Sequence, residues 1–382
     1  MTPLSPFELR LPQSVRFGRG AALAAVPEIL RFGARVLVVH GRDPGRSSAL
    51  RDALDAVGAV TFSVACPGEP TLPMLTAALE EGRARHPDTV VAVGGGAALD
   101  LGKALAALLP AVEDPLVHLE VVGQGKPLSA APLPCVAIPT TAGTGSEATK
   151  NAVIGVPEAA RKVSLRDARM VPDLAVIDPS LTDGTPVAQT LASGLDAVTQ
   201  VIEPYLCTRA TPFTDALARP AIEMGLHALV ALVEEGENPG ARDRLAYVAH
   251  VSGIALANAG LGAVHGLAGV LGGETGASHG VICARLLPRV LHALRASDAL
   301  DQRTQLRLAE VCALIDAIVP GGLDGMEGWL TRNGVARLPA LSAADRERIA
   351  GAAQAASSMK ASPVAFSARA LADLLNDASP VP

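Results

Sequence analysis

The sequence predicts an α/β domain in the first half of the chain and an all-α domain in the second half. Up to about residue 181, short apolar runs alternate with helical patterns, as is typical of a parallel sheet covered on both faces. Beyond that point helical periodicity continues with no intervening strand. The 382 residues, 49% of them hydrophobic, suffice for two cores. We therefore expect domains at 1–181 and 182–382.

The elements of the α/β domain follow from the local composition. Short apolar runs, several of them rich in β-branched residues, predict strands, and longer runs with helical spacing or many alanines and leucines predict helices. The predicted strands are 34–39, 61–65, 89–93, 117–122, 134–139 and 174–179, and the predicted helices are 47–57, 71–85 and 98–109.

The second half contains only helical patterns. The change occurs at LTDGTP (181–186), where a polar turn separates the last predicted strand from the first long helix. The helical patterns cover 186–206, 212–235, 241–260, 281–299, 303–318 and 342–377.

The composition argues against several classes of function. A net charge of −6, no run of Lys or Arg and only six Phe, two Tyr and one Trp leave no surface suited to nucleic acid or to an anionic membrane. The five cysteines have no C-x-x-C spacing, so we expect reduced thiols. Neither a signal-peptide pattern nor an uninterrupted apolar run of about 18 residues is evident. These features predict a soluble, cytoplasmic protein.

Two glycine-containing loops follow predicted strands and suit a nucleotide. Gly94, Gly95 and Gly96 lie between a strand and a helix, where bare backbone N–H groups and a helix N-terminus favour a pyrophosphate. A tight structural turn is the competing explanation. The second loop, PTTAGTGSE (139–147), offers four hydroxyls and two glycines that suit phosphate, ribose or nicotinamide hydrogen bonds. A capped loop, with Thr144 or Ser146 as the N-cap, is its structural alternative.

Four residues of the helical half form a candidate metal site. Asp196 and Gln200 are four apart and share one helix face, and His265 and His279 flank a glycine-rich segment. Asp and His suit a catalytic Fe(II) or Zn(II) site with an open position for substrate. Gln200 is a weak ligand, since its amide carries no charge; a satisfied core amide is the alternative. We therefore expect reduced metal affinity.

Taken in order, five segments resemble the iron-containing, or group III, alcohol dehydrogenases. The resemblance spans nearly the whole chain and implies a Rossmann-like NAD- or NADP-binding domain, a helical metal-binding domain and an active site in the cleft between them, the architecture shared with dehydroquinate synthases. It also implies a homo-oligomer, most simply a dimer. The five segments are FGRG (17–20), GGGAALDLGKA (94–104), IPTTAGTGSEAT (138–149), SGLDAVTQVIE (193–203) and HGLAGVLGGETGASHG (265–280).

The resemblance also assigns individual roles. His265 and His279 are also the catalytic candidates, because at an empty site either imidazole is the natural hydrogen-bond donor or general acid for the carbonyl oxygen. The implied metal ligands are Asp196, Gln200, His265 and His279, and the implied cofactor-binding residues are Gly94, Gly95, Gly96, Asp100, Thr140, Thr141, Thr144 and Lys162.

Three positions depart from the family pattern. Gln200 stands where the family usually has His, and Gly269 stands where the family usually has a second His of an H-x-x-x-H segment. The first strand ends in His40-Gly41-Arg42 without the carboxylate that NAD-preferring members tend to carry, so the arginine permits NADP. Asp43, one residue on, keeps NAD open.

The expected activity is hydride transfer between a nicotinamide and an alcohol, aldehyde or ketone. The alternative is a metal-independent reductase of an unsaturated keto-acid, similar to the maleylacetate reductases, with His265 or His279 as the proton donor. A sugar-phosphate cyclase is disfavoured because no basic residue adjoins the predicted ligands. A non-catalytic relative is disfavoured because a purely structural protein has no use for the two nucleotide loops.

Overall fold

A computed structural model describes residues 6–159 and 161–376. The chain forms two compact units. Among the described residues, one consists of Pro12–Pro186 together with Glu235–His250; the other contains 6–11, Val187–Glu234 and 251–376. The outer ends of the expected domains, 1–5 and 377–382, lie outside the described residues.

The α/β unit is built on a six-stranded sheet in which every neighbouring pair is parallel. The predicted parallel sheet is therefore confirmed. Its spatial order is β1-β8-β5-β4-β2-β3, where β6 and β7 are absent because they form a separate antiparallel hairpin. The strands are β1 Ser14–Phe17, β2 Arg35–His40, β3 Val60–Ala65, β4 Thr89–Gly94, β5 Cys135–Pro139, β6 Asn151–Val156, β7 Arg161–Arg166 and β8 Leu174–Ile177.

Both faces of the sheet are buried, which explains why its strands are continuous apolar runs. Successive side chains point to opposite faces, so Val36 and Val38 enter one core cluster while Leu37 and Val39 enter the other. The helices of this unit are α1 Ala21–Ala24, α2 Val26–Leu30, α3 Gly45–Ala56, α4 Leu72–Arg85 and α5 Gly96–Leu108.

One predicted strand, 117–122, is wrong. The segment instead contains a 3₁₀ helix at Pro115–Val117, begun by the Asp114 carboxylate accepting from the Leu116 N–H, followed by turns in which Val121 has φ 66°. Proline and the left-handed residue prevent an extended ladder, although its apolar composition is that of a strand. The short edge strand β1 and the β6–β7 hairpin were not predicted from the sequence.

The other unit is helical, as predicted from the sequence. Its expected final segment, 342–377, is not one helix: it breaks into α13, a 3₁₀ helix at Ser357–Ala361 and α14, with Pro363 in the intervening loop, and residue 377 lies outside the described residues. The helices are α6 Val187–Leu206, α7 Pro212–Glu235, α8 Pro239–Asn258, which belongs to both units, α9 Ala263–Thr275, α10 His279–Arg295, α11 Gln302–Ile318, α12 Gly322–Arg332, α13 Ala343–Ala355 and α14 Ala368–Leu374.

One helix among the described residues, α7, is long and apolar enough to cross a membrane by length and composition alone; a second candidate requires counting the bent pair α8 and α9 as one span. Helix α7 carries Asp215, Arg219 and Glu223, so it is not an uninterrupted apolar run. Buried helices of globular cores have the same composition, and Ile222, Leu226 and Leu229 are buried here.

Candidate functional site

The chain reverses its direction of strand addition between β2 and β4. From β2 the connection through α3 leads outward to β3, whereas from β4 the connection through α5 leads to β5 on the opposite side. In open parallel sheets, ligands bind beyond the carboxyl ends of the strands at such a point. The triple glycine runs from the last residue of β4, Gly94, to the first residue of α5, Gly96, so the sheet topology brings it to this position.

The backbone around the triple glycine is open to an anion. Helix α5 begins at Gly96, and its N-cap residue Gly95 provides no side-chain hydrogen bond to the first turn. The first N–H groups of a helix have no intrahelical acceptor and carry the positive end of its dipole. This end of α5 therefore offers donors that a phosphate group suits.

The hydroxyl-rich loop lies directly beside the triple glycine. Strands β4 and β5 are neighbours, with Gly94 opposite Pro139, and the Thr140 N–H donates to the Gly94 carbonyl at 2.9 Å. A methyl group built on Gly96 would lie 2.8 Å from the Thr144 Cγ2 atom. Glycine favours this close approach, and the bare backbone at Gly96 faces the Thr144 side chain.

Asp100 has structural partners in the same region. Its carboxylate accepts from the Ser146 hydroxyl at 2.5 Å and from the Val153 N–H at 2.9 Å. The fully buried Lys103 ammonium lies 3.2 Å from the Asp100 carboxylate and donates to the Thr149 hydroxyl. These contacts anchor the hydroxyl-rich loop to α5, so Asp100 shapes the region through protein contacts.

Lys162 lies on β7, opposite Gly155 of β6. Its ammonium group is 3.6 Å from the Glu69 carboxylate, and its side chain is about one quarter exposed. The structure thus places this predicted cofactor contact on the antiparallel hairpin, with an ion-pair partner from the loop before α4.

The loop after β2 approaches the triple glycine as well. A methyl group built on Gly94 would lie 3.5 Å from the Gly41 nitrogen. The Asp43 carboxylate accepts from the Gly45 N–H at the start of α3, while the exposed Arg42 guanidinium donates to the Pro67 carbonyl. An exposed cation therefore stands near the position where an acidic residue would accept ribose hydroxyls.

The helical unit contains a compact group of side chains that could hold a metal ion, here called the metal-binding group. Asp196, His265, His279 and Cys283 each present one ligand atom, and these four atoms all lie within 4.8 Å of one another. The Asp196 Oδ1 atom is 3.2 Å from the Nε2 atom of His265 and 3.6 Å from that of His279. The structure thus brings the predicted ligands Asp196, His265 and His279 together with Cys283.

Close helix packing creates this group. Asp196 is on α6, His265 is in the first turn of α9, and His279 begins α10. A methyl group built on Gly280 would lie 2.6 Å from the Ala192 carbonyl oxygen. Only glycine allows the start of α10 to approach α6 so closely, and this approach brings His279 to Asp196.

Glu203 orients one of the histidines. Its carboxylate lies 2.7 Å from the His265 Nδ1 atom and accepts the Val264 N–H at 2.7 Å. A carboxylate on one ring nitrogen fixes the tautomer and directs the other nitrogen toward a metal. The His265 Nε2 atom accordingly faces Asp196.

The protonation of the group reflects opposing effects of burial and charge. Burial raises the pKa of Asp196, but the His279 and His265 rings more than offset it, so this pKa lies below its usual value. For His265, burial acts to lower the pKa, and the Cys283 sulfur and two carboxylates raise it well above its usual value. The Cys283 sulfur, acting against burial, raises the pKa of His279 to about 9. The anionic groups therefore favour positive charge here.

Gln200 is buried on α6, one turn after Asp196, as the i, i+4 spacing predicted. Sequence reasoning missed Cys283 and Glu203. Both follow a predicted ligand at helical spacing: Cys283 is four residues after His279, and Glu203 is seven after Asp196. Both could have been found in the sequence by looking one or two helical turns beyond each predicted ligand, on the same helix face.

Two family models match the chain. The model described as iron-containing alcohol dehydrogenase matches residues 12–179, and the C-terminal model of the Fe-containing alcohol dehydrogenase family matches residues 190–328. Together they cover most of both units.

Individual relatives agree with these matches. The probable alcohol dehydrogenase EutG of Escherichia coli K12 is 38% identical over 248 residues, which are 65% of this chain and 62% of that protein. The iron-containing alcohol dehydrogenase structure of Thermotoga maritima is 27% identical, with a TM-score of 0.82 over 97% of this chain and 98% of that one. A sulfoacetaldehyde reductase of Bifidobacterium kashiwanohense in complex with NAD+, 22% identical, has the same fold, with a TM-score of 0.83 over 97% and 98%.

Proposed function

We propose that this chain, which belongs to the family of iron-containing alcohol dehydrogenases, interconverts an alcohol with an aldehyde or ketone by hydride transfer to or from NAD or NADP. The main support for this proposal is the glycine backbone at the start of α5, which packs closely against Thr144. It lies between β2 and β4, where the order in which strands are added to the sheet reverses, and nucleotides bind at such points in open parallel sheets. The maleylacetate-type alternative is not favoured, because the matching family descriptions are those of alcohol dehydrogenases.

For the cofactor, we assign residues 1–181 as the binding domain. Gly94, Gly95 and Gly96 with the α5 N-terminus hold the pyrophosphate, and Thr140, Thr141 and Thr144 contact the nucleotide. Asp100 positions the hydroxyl-rich loop through Ser146. Lys162 extends toward the cofactor from β7. The NAD+ complex of the Bifidobacterium reductase, which has the same fold, supports this assignment.

For catalysis, we assign residues 182–382 as the metal and substrate domain. Asp196, His265 and His279 supply one carboxylate and two imidazoles, a set that suits Fe(II) or Zn(II), and Gln200 occupies the same face of α6. A bound divalent ion supplies Lewis acidity, which lowers the barrier to hydride transfer to a carbonyl by several kcal/mol.

The chain's own residues handle binding and protons. Asp196 is buried and carries the negative charge that attracts a cation. Glu203 keeps the His265 Nε2 atom directed at Asp196. Where no ion is bound, the His279 side chain, which is 39% exposed, is suited to pass a proton from solvent to the product oxygen.

The proposal extends to assembly and location. Strand β1 is an edge strand with Val15 45% and Phe17 46% exposed, and an apolar edge of this kind favours pairing with a second copy. We therefore propose a homo-oligomer, most simply a dimer. The five cysteines are free, which agrees with a reducing cytoplasm.

The test combines cofactor binding with substrate screening. Titration with NADH and NADPH, followed by fluorescence, is expected to show saturable binding of at least one. Activity on a panel of alcohols, aldehydes and keto-acids is then measured before chelation, after chelation and after restoring Fe(II) or Zn(II). Loss and recovery of activity on alcohols is the expected result. An absence of binding to both cofactors would overturn the dehydrogenase assignment.

A further inference from the structure

Cys283 is the unexpected member of the metal-binding group. It lies on α10, one turn after His279, and its side chain is fully buried. Its Sγ atom is 3.6 Å from the His279 Nε2 atom and 3.8 Å from the His265 Nε2 atom. A buried thiol surrounded by two imidazoles and a carboxylate is a donor set, not a packing arrangement of an apolar side chain.

Four of the distances between ligand atoms match a tetrahedral site. With metal–nitrogen bonds of about 2.05 Å and a metal–sulfur bond of about 2.3 Å, tetrahedral angles place sulfur about 3.6 Å from each nitrogen. The same angles place an oxygen about 3.4 Å from each nitrogen. The observed sulfur–nitrogen distances of 3.6 and 3.8 Å and oxygen–nitrogen distances of 3.2 and 3.6 Å match these edges.

We propose that Cys283, as a thiolate, is the fourth protein ligand of the metal, completing a set with Asp196, His265 and His279; because zinc can expand to five ligands, a position for substrate would remain. This inference rests on the proposed metal-dependent function. In this arrangement Cys283 on α10 replaces the histidine that the family usually has at position 200 on α6. Gln200 is then a buried neighbour of the site and not a ligand.

The sulfur donor determines which metal ion the site prefers. As the metal–sulfur bond forms, the S–H bond breaks and its proton leaves to solvent, since only the thiolate coordinates. With a divalent ion, the Asp196 carboxylate and the Cys283 thiolate give a neutral site, whereas one carboxylate with neutral donors leaves one positive charge. A thiolate also favours zinc over the harder ions that carboxylates and water suit. The site therefore retains zinc tightly although position 200 lacks a histidine.

Cobalt substitution tests the ligand directly, because a cobalt–thiolate bond gives an intense near-ultraviolet charge-transfer band that nitrogen and oxygen ligands do not give. The full-length protein, stripped with chelator and loaded with Co(II), is expected to show this band together with the weak visible bands of four-coordinate cobalt. Cys283→Ser is expected to lose the near-ultraviolet band and to weaken zinc binding at least about tenfold in a chelator competition. Cys312→Ser, at another buried thiol in the same unit, is the matched control. It is expected to keep both the near-ultraviolet band and the wild-type zinc affinity.

Gln200→Leu separates the two candidate ligands. It is expected to keep the near-ultraviolet band and to change the zinc dissociation constant less than about threefold. Circular dichroism of each metal-free variant checks that it is folded, and Cys283→Ala is the second variant if Cys283→Ser does not fold.

The outcomes distinguish this inference from the proposed function. Stoichiometric cobalt with visible bands but no near-ultraviolet band overturns the thiolate ligand and leaves the metal site intact. An absence of cobalt uptake by folded protein overturns both the thiolate ligand and the metal-dependent function. Loss of the band in Gln200→Leu but not in Cys283→Ser would also overturn the proposal.

Discussion

The glycine-rich loops of the α/β unit and the metal-binding group of the helical unit are built on opposite principles. At Gly94–Gly96 the functional groups are backbone N–H donors, and the side chains are absent so that a ligand can approach. At Asp196 the candidate functional groups are side chains from three helices, buried except for the partly exposed His279, with their ligand atoms within 4.8 Å of one another. The first region requires empty space, and the second requires particular atoms in contact.

This difference explains why the two regions depart from the family pattern differently. A backbone site depends on glycine and on the strand–loop–helix order, and the chain keeps both. A side-chain site can exchange one donor for another if a different helix supplies it, and here Cys283 lies where it can replace the donor missing at Gln200. The following predictions test whether the two regions act independently, in order of decreasing effect.

The largest effect is expected from Asp196→Asn. It removes the carboxylate between the two imidazoles, so we expect loss of bound metal and a fall in kcat of about 1,000-fold or more, equivalent to several kcal/mol. Affinity for NADH or NADPH should remain within about twofold if the regions are independent. Asp324→Asn, at an exposed aspartate of the same unit, is the control. Unchanged metal content in Asp196→Asn would contradict the assignment of this ligand.

Gly96→Val perturbs the other region. The added side chain would meet Thr144 at 2.8 Å and close the space for the pyrophosphate. We expect the dissociation constant for the cofactor to rise on the order of 100-fold, which corresponds to about 3 kcal/mol. Metal content, measured by elemental analysis of the same sample, should not change. Equal cofactor affinity in wild type and variant would show that the phosphate binds elsewhere.

Glu203→Gln tests the support of His265 while keeping the shape of the side chain. The amide is a poorer partner for the His265 Nδ1 atom than the carboxylate at 2.7 Å, so the ring loses basicity and orientation. We expect zinc affinity to fall about 10- to 100-fold, as for other second partners of metal-bound histidines. The measurement is competition with a chromophoric chelator. Wild-type zinc affinity in this variant would show that Glu203 does not support metal binding through His265 and serves only to accept the Val264 N–H.

Zinc affinity should increase with pH. His279 faces Asp196, His265 and Cys283, and its pKa is raised to about 9, so metal must displace its proton at neutral pH. Because the proton competes with zinc below this pKa, we expect the apparent affinity to rise by up to about tenfold per pH unit for each proton displaced, and the contribution of His279 to level off near pH 9. Cofactor affinity is measured over the same pH range and should not follow zinc affinity if the two regions act independently. Flat zinc affinity between pH 7 and 9 would contradict the prediction.

The smallest effect is expected from Arg42→Ala. Its exposed guanidinium stands near the end of β2 and suits a 2′-phosphate. We expect NADPH affinity to fall about three- to tenfold while NADH affinity changes less, as for an exposed charge contact. Arg85→Ala, at an exposed arginine on α4, is the control. An equal loss of affinity for NADPH and NADH would show that the 2′-phosphate of NADPH does not contact Arg42.

Much of the fold could be predicted because the elements carry local signals. The buried strands β2, β4, β5 and β8 are continuous apolar runs, and the family resemblance from ordered motifs is confirmed by the matches over 12–179 and 190–328. The segment 117–122 was mistaken for a strand because its composition is apolar, whereas the Pro115 turn and the positive φ of Val121 decide its conformation. The hairpin of β6 and β7 was missed because its residues are only half buried.

From the sequence alone one can identify the α/β-then-helical order, the triple glycine and the candidate ligands Asp196, His265 and His279, since these depend on local periodicity and residue type. Which side chains meet depends on how the separate helices pack. Asp196 and Cys283 are 87 positions apart and share a group because Gly280 lets α10 approach α6 closely. Spacing along one helix shows which residues share a face, but the packing of separate helices decides which faces touch.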